Sequence, residues 1–128
     1  MPFSPPTQQR MSPTCAYLGP DGSYTSQASR TLLTPEATLI PCTTITDVFA
    51  AETTYAVVPL ENTIHGVVQE TLECLLGEAR RGWSMVRTYD KPIQHALVVS
   101  RGTRLEDVRW VASHEQVRRV LDTCPSDL

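Results

Sequence analysis

The chain predicts an α/β fold built on a mostly parallel sheet. Short runs of β-branched and apolar residues alternate with segments whose apolar residues recur at helical spacing, and such alternation builds parallel sheets through crossover helices. Turn chemistry punctuates the alternation, as at Gly19-Pro20-Asp21-Gly22 and from Pro59 to Gly66. With 128 residues, 41% of them hydrophobic and 20% charged, the chain is long enough to bury one core and apolar enough to need one.

Residues 1–14 read as a disordered tail. Four of the first thirteen residues are prolines, and no apolar stretch suggests a signal or transit peptide. Ala16-Tyr17-Leu18 is a short buried strand. Ser23 is placed to cap a helix in which Tyr24, Ala28 and Leu32 recur every fourth residue, and Thr34-Pro35 ends it. A second strand is expected from Thr38 to Thr43, then a short helix capped by Thr46 or Asp47 and running through Val48, Phe49, Ala50 and Ala51. Tyr55 to Val58 is the third strand. Beyond the loop, Val68, Leu72, Leu75, Leu76 and Ala79 share one face of a helix ending near Gly82. Ser84 to Val86 and Ile93 to Ser100 read as strands with Pro92 between them, and Leu105 opens a helical turn. Trp110-Val111-Ala112 reads as a last strand. Ser113, with Gln116 three residues on, caps a last helix whose inner face is Val117, Val120, Leu121 and Cys124.

Composition excludes several function classes. The net charge of −3 opposes nucleic-acid binding, and the pairs Arg80-Arg81 and Arg118-Arg119 are short enough to be solvated helix faces. No apolar run reaches membrane-spanning length. Cys15, Cys42, Cys74 and Cys124 contain no CxxC pair, which opposes a zinc site; buried free thiols are expected, although the even count also permits disulfides. No GxGxxG or GxxxxGK[ST] supports a nucleotide, and no GxSxG supports a nucleophilic serine. His65 reads as an exposed loop residue, His95 as a hydrogen-bonded core residue, and His114 as the opening of the last helix.

Three loops remain at the carboxyl ends of predicted strands, where ligands of open parallel sheets bind: 19–23, 59–66 and 113–114. Each leads toward a helix amino end, which offers unpaired N–H groups and partial positive charge to a carboxylate. Ser23 and Ser113 are explained by helix capping as well as by ligand contact. Glu61-Asn62-Thr63 leaves two readings open. Asn62 could make an Asx turn and Thr63 a cap, or the three groups could hold a ligand, with Glu61 orienting a hydroxyl or exchanging a proton.

Four segments, "AYLGPDGSYTSQAS" (16–29), "YAVVPLENTIHGVVQETLECLL" (55–76), "KPIQHALVVS" (91–100) and "VASHEQV" (111–117), resemble in this order the amino-terminal part of the prephenate dehydratase catalytic domain. The family patterns have the forms A-[FY]-L-G-P-x-G-[TS]-[FY]-[ST]-x-x-A, V-P-[IL]-E-N-[ST]-x-x-G-x-V-x-x-T-L, P-I-x-H-x-L and S-H-P-Q. The resemblance implies a type II periplasmic-binding-protein-like fold of two α/β lobes, with a first lobe over residues 15–88 and the start of a second, incomplete one over 89–128. It implies decarboxylating dehydration of prephenate to phenylpyruvate in phenylalanine synthesis, in the cytoplasm, with no metal or organic cofactor. It also leaves a homo-oligomer open for a complete form. It places Glu61, Asn62, Thr63 and Ser113 against prephenate, and the candidate substrate-binding set adds His114, Ser23 and Thr25.

The departures bear on activity. The family's catalytic Thr belongs to a Thr-Arg-Phe motif that these 128 residues do not contain, so the catalytic residue is unassigned. No phenylalanine-sensing ACT domain is found, Val120 stands where the family has a glutamine, and His65 where it commonly has an acid. The expectation is a truncated member, inactive or very weak by itself. The rival readings are a small-acid binding module and a pseudoenzyme partner of a complete dehydratase.

Overall fold

A computed structural model describes residues 11–78 and 82–114. The chain forms two compact units, Met1–Lys91 and Pro92–Leu128.

In the first unit β1 (Thr14–Leu18) lies between β2 (Thr38–Cys42) and β3 (Tyr55–Val57), and both pairings are parallel. Ala16 sits opposite Ile40 on one side and Ala56 on the other. Cys15, Ala16 and Tyr17 are almost wholly buried, as expected of a central parallel strand covered on both faces. The chain passes from β1 to β2 through α1 (Tyr24–Leu32), then back across β1 to β3 through α2 (Ile45–Ala50). The two crossovers run in opposite directions, so right-handed connections put α1 and α2 on opposite faces of the sheet. A third helix, α3 (Gln69–Leu76), packs against α2. This is the α/β, parallel-sheet class the alternation predicts.

Capping explains where the helices start. The side chain of Ser23, at the amino end of α1, accepts from Ser26 N–H, as the sequence predicts. The cap of α2 is Thr44, not Thr46 or Asp47. The Thr44 hydroxyl accepts from Asp47 N–H while the Asp47 carboxylate accepts from Thr44 N–H, a reciprocal capping box. Asp47 therefore belongs to the cap as its third helical residue, which moves the helix start two residues earlier. The end of α3 also comes earlier than the apolar spacing suggests. The helix stops at Leu76, and a β-carbon on Gly77 would stand 2.9 Å from the Glu73 carbonyl oxygen, so glycine alone fits.

The inner face of α1 differs from the one predicted. Ser26 and Ser29 are fully buried, whereas Tyr24 is 50% exposed. Ser29 Oγ donates to the Thr25 carbonyl at 2.8 Å and Ser26 Oγ to Asp21 Oδ1 at 2.8 Å, so neither hydroxyl is buried unpaired. Apolar periodicity misses such a face because small self-satisfied side chains pack close to a strand without being hydrophobic.

The opposite face carries a compact apolar cluster. Ile45 and Phe49 of α2 meet Cys74 of α3, with Leu18, Val58, Val68, Leu75 and Trp83 packed around them. The Trp83 indole N–H donates to the Phe49 carbonyl at 2.9 Å, which ties the segment after α3 to α2.

The runs expected as strands at 84–86, 93–100 and 110–112 pair with nothing among the described residues. Their apolar side chains are largely exposed, Val98 at 87% and Trp110 at 93%. A strand is defined by its ladder partner, and sequence alternation cannot supply one. In the second unit the turn predicted at Leu105 is present as a 3-10 helix, Leu105–Asp107. The helix expected after Ser113, with Gln116 and Cys124, lies outside the described residues, as do residues 1–10 of the expected tail. No helix among the described residues is long and apolar enough to cross a membrane.

Candidate functional site

The strand order β2-β1-β3 decides where a ligand of this sheet belongs. From β1 the chain moves outward to β2, and β3 lies on the other side of β1. The connections therefore diverge between β1 and β3, and the region beyond the carboxyl ends of those two strands is where open parallel sheets bind ligands. The loops flanking it are 19–23, after β1, and the segment from Val58 onward, after β3. They carry four of the seven residues predicted to touch a ligand, and Thr25, in the first turn of α1, is a fifth.

The loop after β1 is built around one carbonyl. Ser23 Oγ donates to the Leu18 carbonyl at 3.0 Å, Thr25 Oγ1 donates to the same oxygen, and the two hydroxyls lie 3.2 Å apart. One hydroxyl can turn to a ligand while the other keeps the carbonyl satisfied, at a cost of about 1 kcal/mol for the bond given up. The N–H groups of Tyr24 and Thr25, in the first turn of α1, have no acceptor among the described residues. Two free amides and two adjustable hydroxyls are a donor set suited to a carboxylate.

Asp21 would repel an anion here, and Arg30 offsets it. Arg30 Nη2 donates to Asp21 Oδ1 at 2.8 Å. The Arg30 hydrogen bond, then that of Ser26, hold the Asp21 carboxyl below its ordinary range. A depressed carboxyl contributes stability above its unfolded pKa and loses it as pH falls through the folded one. Asp21→Asn is therefore expected to lower the urea midpoint slightly at pH 7, and the difference from the wild type should close as the carboxyl is protonated in acid. A difference that persists in acid would contradict the ion-pair assignment.

The segment after β3 is an antiparallel hairpin rather than an open loop. β4 (Glu61–Asn62) pairs with β5 (Gly66–Val67), Glu61 opposite Val67 and Asn62 opposite Gly66. Asn62 Oδ1 accepts from Ile64 N–H at 3.0 Å and His65 N–H at 2.7 Å, an Asx turn that closes the hairpin. Gly66 completes it at φ +74°, a conformation side chains disfavour. The turn reading of Asn62 thus holds for its oxygen. Its amide nitrogen makes no bond among the described residues and is left to donate. Glu61 and Thr63 are exposed, and their side chains have no partner among the described residues.

Two residues to which the sequence reading gave no role hold the elements around this hairpin. Thr71, fully buried in α3, donates to the Pro59 carbonyl at 2.6 Å. Glu70 Oε1 accepts from Thr46 N–H and Thr46 Oγ1, both at 3.1 Å, and so clasps α3 to the first turn of α2. Thr71 carried a signal, since a β-branched hydroxyl sits between the apolar positions of a short helix, but periodicity weighs only hydrophobes.

Ser113 and His114 belong to the second unit, where both are exposed. Cys15, Cys42 and Cys74 are free thiols, Cys15 and Cys74 buried and Cys42 half-buried. Burial pushes the thiols of Cys15 and Cys42 up, and the Asp47 charge adds to this at Cys42, so neither is a ready thiolate nucleophile. No group of three or more His, Cys, Asp or Glu side chains converges to hold a metal ion among the described residues.

A cavity of about 540 Å³ opens at the other end of β3, lined by residues 49–56 with Gly82, Trp83, Ser84 and Val86. Its lining carries one carboxylate, Glu52, which is the wrong charge for an acid, and none of the seven predicted ligand residues.

Residues 15–124 match the family model described as prephenate dehydratase. The chain is similar to the prephenate dehydratase of Amycolatopsis methanolica, 36% identical over 116 residues covering 84% of this chain and 36% of that one. It is similar to the bifunctional chorismate mutase/prephenate dehydratase of Aquifex aeolicus (strain VF5), 48% identical over 65 residues covering 48% of this chain and 18% of that one. The X-ray structure of prephenate dehydratase from Streptococcus mutans matches 54% of this chain and 38% of its own, with 37% identity and a TM-score of 0.49. The chain thus spans 36% and 18% of the length of the two relatives.

Proposed function

Because the chain belongs to the prephenate dehydratase family, we propose that the crevice between β1 and β3 binds prephenate and that the site serves its decarboxylating dehydration to phenylpyruvate. The observation that supports this most is topological. Two of the four family motifs lie on the loops that flank the divergence of the sheet.

The chemistry sets what the site must supply. The bond from the ring to its carboxylate breaks and releases carbon dioxide. Its electron pair enters the ring, which becomes aromatic as the ring hydroxyl departs. One proton must reach that hydroxyl for water to leave, so prephenate and a proton yield phenylpyruvate, carbon dioxide and water. The protein's tasks are to hold two carboxylates, protonate the hydroxyl and exclude bulk water. The free amides of Tyr24 and Thr25, with the hydroxyls of Ser23 and Thr25, hold one carboxylate. The Asn62 amide donates to substrate, Glu61 orients the ring hydroxyl, and Thr63 adds a hydroxyl beside it.

The proton donor is the part these 128 residues do not provide, since the family's Thr-Arg-Phe does not occur among them. The 128-residue polypeptide by itself is expected to bind prephenate without turning it over. Incubation with prephenate should leave phenylpyruvate at the uncatalysed level, while calorimetry registers binding. Glu61→Ala should weaken that binding about tenfold or more and leave the thermal midpoint unchanged, because an exposed carboxylate contributes little to folding. Catalysed conversion would contradict the inactivity. A large loss of stability with unchanged binding would contradict the role of Glu61.

A further inference from the structure

We propose that Thr71 is a positioning residue for the prephenate site: its buried hydroxyl, through the Pro59 carbonyl, sets where the Glu61-Asn62 hairpin stands. The inference rests on the functional reading above for its ligand and on geometry for its mechanism. Thr71 is 0% exposed and its Oγ1 donates to the Pro59 oxygen at 2.6 Å. Pro59 lies past the end of β3 at Val57 and outside the hairpin, which starts at Glu61, so no strand ladder fixes that stretch. Proline also brings no N–H with which to anchor itself.

The next bonds along the chain show the same attachment. Val68 N–H donates to the Leu60 carbonyl at 2.8 Å, which closes the base of the hairpin at the start of α3. Glu70 then clasps α3 to Thr46 on α2. The hairpin therefore takes its position from α3 rather than from the sheet. Thr71 is the buried side chain that makes the connection, two residues before the carboxylate it serves. Small displacements of a binding group cost affinity steeply, since polar recognition depends on distances near 3 Å.

The test compares Thr71→Val, Thr71→Ser and the wild type in the full chain, all at a temperature where circular dichroism shows each folded. The first readout is amide hydrogen exchange. Thr71→Val, which keeps shape and removes the donor, should speed exchange at Val68, Ile64 and His65 about tenfold, while the amides of β1 keep wild-type protection. The second is calorimetry with prephenate, where Thr71→Val should bind about tenfold more weakly and Thr71→Ser within about twofold of the wild type. Should Thr71→Val not fold, Thr71→Cys replaces it, with a weaker donor and a smaller shift in the same amides. Unchanged hairpin exchange, or an equal acceleration of exchange throughout the unit, overturns the proposal. So does wild-type affinity in a folded Thr71→Val. A wild-type chain that leaves prephenate unbound overturns the acid-site reading and the ligand half of this proposal, and the exchange data still decide whether Thr71 holds the hairpin.

Discussion

Phe49→Ala is expected to remove about 3–4 kcal/mol of stability, a large share of what a domain of this size possesses. Phe49 is 7% exposed and lies in the cluster formed by Ile45, Cys74 and the partly buried Leu18, Val58, Val68, Leu75 and Trp83. Truncation leaves a ring-sized void between α2 and α3, and rigid helices flanking a sheet collapse into such a void only in part. The Trp83 indole bond is made to the Phe49 carbonyl, so the substitution spares the donor's partner and the loss reports packing. Thermal unfolding followed by circular dichroism should show the midpoint falling by roughly 12–24 °C. A change of less than about 1 kcal/mol would mean that α2 and α3 do not meet around this ring.

Asn62→Asp is expected to separate the turn from the ligand site. The Asn62 oxygen closes the hairpin by accepting from Ile64 and His65 N–H, and a carboxylate accepts those bonds equally well. Stability should therefore stay within about 0.5 kcal/mol of the wild type. The amide nitrogen is replaced by a second, negatively charged oxygen, so the site loses a donor and gains a charge facing a dianion. Prephenate binding should weaken by about 2–3 kcal/mol, from thirtyfold to over a hundredfold. Asn62→Ala should instead lower stability and affinity together. Wild-type affinity in Asn62→Asp would mean that Asn62 only turns the chain.

The sheet was legible because parallel strands announce themselves as short apolar runs between helical segments. Tyr55 to Val58 and Thr38 to Thr43 were placed within one residue of β3 and β2. Ser23 was legible as a cap because its hydroxyl, followed by helical spacing, has few other uses there. What escaped was polar and close-packed. Ser26, Ser29 and Thr71 are fully buried, yet each hydroxyl satisfies itself on a nearby oxygen, and hydrophobic patterning has no register for that. The hairpin escaped because four strand residues are too few to alternate. The cap of α2 escaped because Thr44, Thr46 and Asp47 all suit the role, and only the backbone decides among them. The apolar run at 93–100 misled in the opposite direction, since its pattern is that of a strand and no partner lies among the described residues. Glu61, Asn62 and Thr63 drew notice through their chemistry, and the strand order explains why that chemistry stands at the mouth of the sheet.

The most direct test is a titration of the isotope-labelled chain with prephenate, followed by backbone amide chemical shifts. Saturable shifts are expected at Gly22 to Thr25 and at Leu60 to Gly66, the two segments beyond the carboxyl ends of β1 and β3. Shifts confined to Thr54, Tyr55 and Trp83, around the cavity at the opposite end of β3, or no saturable shift at all, would contradict this expectation.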